Sequence, residues 1–196
     1  IEQPLNFTYA VRDGLICHCG EIDQQGIVPR TEAIDLYSIK RPGIVQPYTW
    51  EGCVVKIADK IAYLGRDIED AVRLGILKED GKPLQDLLKE LNSYSREPIQ
   101  SVTNTSIMYP LITDICRESS PEAGLVLSQS HINMMDAVMR FNYAHIYKNK
   151  RLEVYHAYAR LILESVYKLL RECYDGTETM NNIRLLAKDY PTLGRH

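Results

Sequence analysis

Between Thr49 and Leu77 the chain reads TWEGCVVKIADKIAYLGRDIEDAVRLGIL, and this stretch constrains the fold more than any other. Val54, Ile57, Ala58, Ile61, Ile68 and Val72 recur at three- and four-residue steps, the period that gathers side chains on one side of an α-helix. That side is predicted to be buried, so the segment reads as one long helix laid against a core. Thr49 is the predicted N-cap, with Glu51 in the first turn and Gly75 as the stop. Gly52 and Gly65 weaken the helix locally and mark places of close packing. A neighbouring stripe carries Asp59, Tyr63, Arg66, Asp67 and Asp70, since residues three or four apart stack above one another. Such a stripe has the chemistry to hold a cation or a phosphate ester. The bland reading is a solvated helix face. Against it stands Asp59, between Ala58 and Lys60 in the most apolar part of the helix, where an unpaired carboxylate is costly and a cation or an arginine is expected beside it.

The rest of the chain is also helical in pattern. LNFTYAVRDGLICHCGE, from Leu5 with Pro4 in the first turn, predicts a helix ended by Gly20. A polar loop over 22–31 leads to a short helix from Glu32 to Lys40, stopped by Arg41-Pro42-Gly43. After a turn at 79–83, LQDLLKELNSYS predicts an amphipathic helix with Leu84, Leu87, Leu88 and Leu91 inward. Glu97-Pro98 opens the next run, kinked at Pro110. A turn at Ser119–Glu122 and an extended or connecting GLVLSQS follow. Ser130 to Tyr147 and Arg151 to Tyr174 read as a helical hairpin broken at Asn149 or Lys150, with one more short helix near Asn181 to Lys188. Six to eight helices without a convincing strand make the fold all-α, a multi-helix bundle in a single domain spanning 1–196.

Composition removes several classes of function. The net charge is −3 with both signs spread along the chain, so charge gives no support for nucleic-acid binding. No apolar run reaches the roughly 20 residues that span a bilayer, and the expected setting is soluble and cytoplasmic, with no membrane partner. Five irregularly spaced cysteines do not form a disulfide framework. Cys17, His18 and Cys19 are zinc-ligating residue types, but neighbours one or two apart on a helix do not share a face, and Cys53, Cys116 and Cys173 add no usual ligand spacing. His131, His145 and His156 read as ordinary helix histidines.

EGCVVKIADKIAYLGRDIEDA, together with the earlier LNFTYAVRDGLICHCGE and the later MRFNYAHIYKNKRLEVY, resembles the HD-superfamily deoxynucleoside triphosphate triphosphohydrolases, the dGTPase-like enzymes. The resemblance implies an HD-domain-like helical bundle that hydrolyses a deoxynucleoside triphosphate to a deoxynucleoside and triphosphate. It implies a divalent metal ion held by a His, a His-Asp pair and a later Asp, the last matched by Asp59. Lys60 then faces the phosphates, Tyr63 packs on the deoxyribose, and Asp67 takes the 3′-hydroxyl. A metal of this kind activates water and polarises phosphoryl oxygens. Arg140 and Tyr143 lie near the site only in a loose correspondence. Homo-oligomers are expected from the same resemblance.

One departure is serious. No histidine is followed by aspartate, and in the family that pair lies upstream of the segment matched by LNFTYAVRDG. The chain, which begins at Ile1, is therefore expected to be the C-terminal part of such an enzyme, incomplete at its N-terminal side, inactive alone and weak in binding the metal. The competing reading is a non-catalytic helical module acting in assembly or as a nucleotide-responsive regulator.

Overall fold

The computed structural model describes residues 6–20, 26–174 and 181–182. Six α-helices follow in order: α1 (Tyr9–Cys17), α2 (Trp50–Arg73), α3 (Lys82–Tyr94), α4 (Asn104–Glu118), α5 (Gln129–Phe141) and α6 (Lys150–Cys173). A 3₁₀ turn spans Leu36–Ser38, and α5 runs on into a π-helical turn over Asn142–Tyr147. Among the described residues there are two isolated bridges, Ile27 to Leu125 and Ser120 to Gly124, and no strand, so the class is all-α. No described helix is long and apolar enough to cross a membrane. The chain divides into two compact units, Ile1–Lys148 and Asn149–His196.

In the first unit α1, α4 and α5 pack on α2, and α3 packs on α5. The start of α2 matches the expectation: the Thr49 side chain accepts from the Gly52 amide, and Gly75, at φ +65°, ends it one residue after Leu74. The buried face is not quite the predicted one. Ile57, Ile61 and Ile68 are inside with Cys53, Leu64 and Ala71, whereas Val54 and Ala58 face outward. The buried stripe thus starts one position earlier, at Cys53, and includes Lys56 at 2% exposure, with its ammonium 3.2 Å from Gln46 Oε1. Leu84, Leu87 and Leu91 of α3, Ile107 and Leu111 of α4, and Met134, Val138 and Phe141 of α5 complete the core.

Three predicted boundaries shift. Residues 32–40 form only the 3₁₀ turn, because the Tyr9 hydroxyl accepts from Ile34 N (2.8 Å) and donates to Ile34 O (2.9 Å), taking up the groups a helix would pair. The run from Glu97 stays non-helical to Thr103, since the Asn92 side chain grips both backbone groups of Ile99. α4 begins instead at a capping box between Thr103 and Ser106, and Pro110 sits inside it. α1 begins at Tyr9, after the N-cap Thr8, whose hydroxyl accepts from Val11 N; the predicted start at Pro4 and Leu5 lies outside the described residues.

The second unit contains α6, capped by Asn149 on Arg151 N, and the helical pair Asn181 and Asn182, the latter donating to the Cys173 carbonyl. The break before α6 falls at Lys148 and Asn149. The remainder of the helix predicted to Lys188 lies outside the described residues, as do Pro191, Gly194 and His196.

Candidate functional site

The polar stripe of α2 splits into two parts. Asp59 is exposed and makes no hydrogen bond or ion pair among the described residues, which corrects the expectation of apolar surroundings; of the neighbours expected for it, a basic side chain or water, it is open to water. The physical reason is helical phase: Ala58 and Asp59 sit on the outer side of the helix. Arg66 pairs with Asp70 at 3.3 Å on the surface. Lys60, Tyr63 and Asp67 are each half-buried, a turn apart along one edge of α2.

That edge faces α5 and its π extension. Lys60 lines a cavity of about 190 Å³ with Ile57, Met135, Asp136 and Met139. Further along, Asn142 Nδ2 donates to the Leu64 carbonyl at 2.9 Å, and the Tyr147 hydroxyl donates to Asp67 Oδ2. These contacts fall in the same order on both helices, so the α5 segment runs alongside α2 in the same direction. Burial, the hydrogen bond to Asp67, the Asp67 charge and nearby Tyr63 hold the Tyr147 phenol protonated well above the ordinary tyrosine range; the Asn142 amide acts the opposite way. Tyr63, Asp67 and Tyr147 therefore share one small space. Asp67 Oδ1 has no partner among the described residues, and a carboxylate with a free oxygen is an acceptor for a hydroxyl donor.

Tyr147 is the residue sequence reasoning missed. It lies in the segment MRFNYAHIYKNKRLEVY, but nothing local marks the turn that aims it at α2. Arg140 and Tyr143, in the same segment, go elsewhere: Arg140 pairs with Glu90 of α3 at 2.8 Å, and Tyr143 carries Lys148 over its ring at 4.4 Å.

Other polar clusters have structural explanations. Asp13, 1% exposed, takes the Arg30 guanidinium and the Tyr48 amide (2.7 Å), while Arg30 also reaches the Tyr9 hydroxyl and the Gln46 carbonyl. Burial opposes the Arg30 charge, and the bonds to Asp13 and Tyr9 outweigh it, so its pKa rises. The cluster ties α1 to the two loops that precede α2. Burial and the Asp13 carboxylate push the Cys17 thiol up, and His18 is held by the Leu15 carbonyl at 2.9 Å. Ser128, His131 and Asp114 bring together the residue types of a hydrolytic triad. However, the single nitrogen His131 Nδ1 meets both Ser128 Oγ and Asp114 Oδ1 at 2.9 Å, and Ser128 also bonds Asp114 directly. A nucleophile and its orienting acid must use opposite ring nitrogens, so this is a lock on the start of α5. His145 packs on Phe141 at a tilt, none of the five cysteines is in a disulfide, and no group of three or more possible metal ligands exists among the described residues.

No protein-family model and no solved structure matches the chain. It is similar to proteins named deoxyguanosinetriphosphate triphosphohydrolase-like protein. One from Clostridium perfringens strain 13 is 28% identical over 179 residues, covering 91% of this chain and 44% of the relative. Another from strain SM101 is 30% identical over 162 residues, 83% of this chain and 40% of the relative. A third, from Clostridium tetani, is 28% identical over 163 residues with the same two coverages. The chain thus spans less than half the length of these relatives.

Proposed function

We propose that this chain carries one wall of the nucleotide site of a dGTPase-like, HD-type deoxynucleoside triphosphate triphosphohydrolase. The observation that carries the reading is the meeting of Tyr63, Asp67 and Tyr147 at one end of the α2 edge, with Lys60 two turns earlier. In this reading the aromatic rings of Tyr63 and Tyr147 flank the deoxyribose. The free oxygen of Asp67 accepts its 3′-hydroxyl, and the Lys60 ammonium neutralises phosphate charge. The similarity to the Clostridium proteins, which extends over most of the chain, agrees with it.

The described residues do not fit a divalent metal by themselves. Asp59 is one carboxylate, and a hard cation needs several protein oxygens or nitrogens to be retained. Asp59 is proposed as one ligand of a site completed outside these residues. Hydrolysis needs the water activation that such a metal supplies, so the chain alone should bind nucleotide and not turn it over.

The test is titration with dGTP and with its 2′,3′-dideoxy counterpart. A hydrogen bond to a charged acceptor contributes about 1.5–3 kcal/mol, so dGTP should bind about 10- to 100-fold more tightly. Asp67→Asn should narrow that ratio, and Lys60→Ala should weaken both ligands alike.

A further inference from the structure

We propose that Asn142 is a positioning residue, whose side-chain amide anchors the π-helical turn to α2 and so aims Tyr147 at Asp67. The inference rests on reading Asp67 and Tyr147 as the sugar end of the site. Asn142 is 1% exposed, and its Nδ2 donates to the Leu64 carbonyl, on the turn of α2 between Tyr63 and Asp67. Its Oδ1 is buried and has no partner. An unpaired buried oxygen costs about what one hydrogen bond returns, so packing alone favours an apolar residue of the same shape at this place. What leucine could not supply is the donor.

Helix geometry gives that donor a purpose. In an α-helix the residue five positions on is rotated by about 140°, so with Asn142 against α2, Tyr147 would point away from it. The i→i+5 pattern over Asn142–Tyr147 brings residue 147 back over residue 142. Both side chains then face the same partner helix, one on the Leu64 carbonyl and the other on Asp67. The wide turn is costly in backbone terms, and the Asn142 bond fixes its first residue to α2.

The experiment uses the full chain with tyrosine ring carbons labelled with ¹³C and the Tyr147 resonance assigned through Tyr147→Phe. Spectra are taken at about pH 10, where an ordinary tyrosine is half ionised. In the wild-type chain Tyr147 should remain protonated. Asn142→Leu should raise its ionised fraction from nearly none to about half, because Tyr147 leaves Asp67. Asn142→Gln, which keeps a donor, should hold Tyr147 mostly protonated. Tyr147 staying protonated in the leucine variant overturns the proposal, since loss of the amide with the ring still in place pushes the phenol further up. Identical behaviour of the leucine and glutamine variants overturns it as well. If the leucine variant does not fold, the wild-type chain decides. Nuclear Overhauser contacts between the Asn142 amide protons and the Tyr147 ring support the proposal, and their absence overturns it. Nucleotide plays no part in these measurements, so failure to bind dGTP, which removes the functional reading and with it the role of the aimed tyrosine, is distinguishable from failure of Asn142 to place Tyr147.

Discussion

Replacing Gly65 by alanine tests how tightly α2 is held beside the candidate site. A Cβ at this position would lie 2.6 Å from Asn104 Cα, 2.9 Å from Asn104 Oδ1 and 3.3 Å from Asn104 N. Carbon atoms sit best about 3.5–4.0 Å apart, so the start of α4 must retreat by roughly 1 Å. The obstacle is backbone, and the same residue's amide donates to Glu69 Oε1 at 2.9 Å, so the retreat also strains the cap that Glu69 provides. Overpacking of this kind costs about 1–3 kcal/mol, against a gain of about 1 kcal/mol from alanine over glycine in a helix. The net expectation is a loss of up to about 2 kcal/mol. Gly14 is the internal control, because a Cβ there meets nothing closer than Gly52 Cα at 3.8 Å, and Gly14→Ala should stabilise by about 0.5–1 kcal/mol. Urea denaturation followed by circular dichroism reads both variants. With a slope of about 2 kcal/mol/M, Gly65→Ala should lower the midpoint by up to about 1 M and Gly14→Ala should raise it by about 0.25–0.5 M. A Gly65→Ala protein stabilised as much as Gly14→Ala would refute the close packing of α2 on α4.

Asp13→Ala should cost about 3–5 kcal/mol by the same assay, because it leaves the Arg30 guanidinium, 13% exposed, without its carboxylate. Tyr147 has a raised folded pKa, so its share of stability is whole below the unfolded value near 10 and is lost as pH rises towards the folded one. Denaturation midpoints should therefore fall more steeply above about pH 10 in the wild type than in Tyr147→Phe. Thr103→Ala should remove about 1 kcal/mol by opening the capping box of α4. Incubated with dGTP and a divalent metal, the purified chain should release no triphosphate; metal-dependent release would contradict the incomplete-site reading.

The parts of the fold that were legible in sequence are those set by neighbours along the chain. The periodicity of α2, its Thr49 cap and its Gly75 stop are local signals, and so is the leucine face of α3. What was not legible depends on residues distant in sequence. The Tyr9 hydroxyl keeps Ile34 out of a helix 25 positions away, and Lys56 is buried although its residue type predicts a surface. Asp59 shows the opposite error: an apolar context in sequence became an exposed position, because one step of helical phase separates it from the core. At the candidate site, Tyr63 and Asp67 stood out on the polar stripe of one helix, and Lys60 came with the family resemblance of the same stretch. Tyr147 could not, since its approach to Asp67 depends on a π turn whose residues carry no compositional mark.

The claim that the α2 edge is a nucleotide wall is tested most directly by amide spectra of the chain during titration with dGTP, with 2′,3′-dideoxy-GTP in parallel. The account predicts shifts confined to Lys60, Tyr63, Asp67, Tyr147 and their neighbours, and about 10- to 100-fold weaker binding of the dideoxy compound. Equal affinity for the two nucleotides, or shifts that leave Asp67 and Tyr147 unmoved, would contradict it.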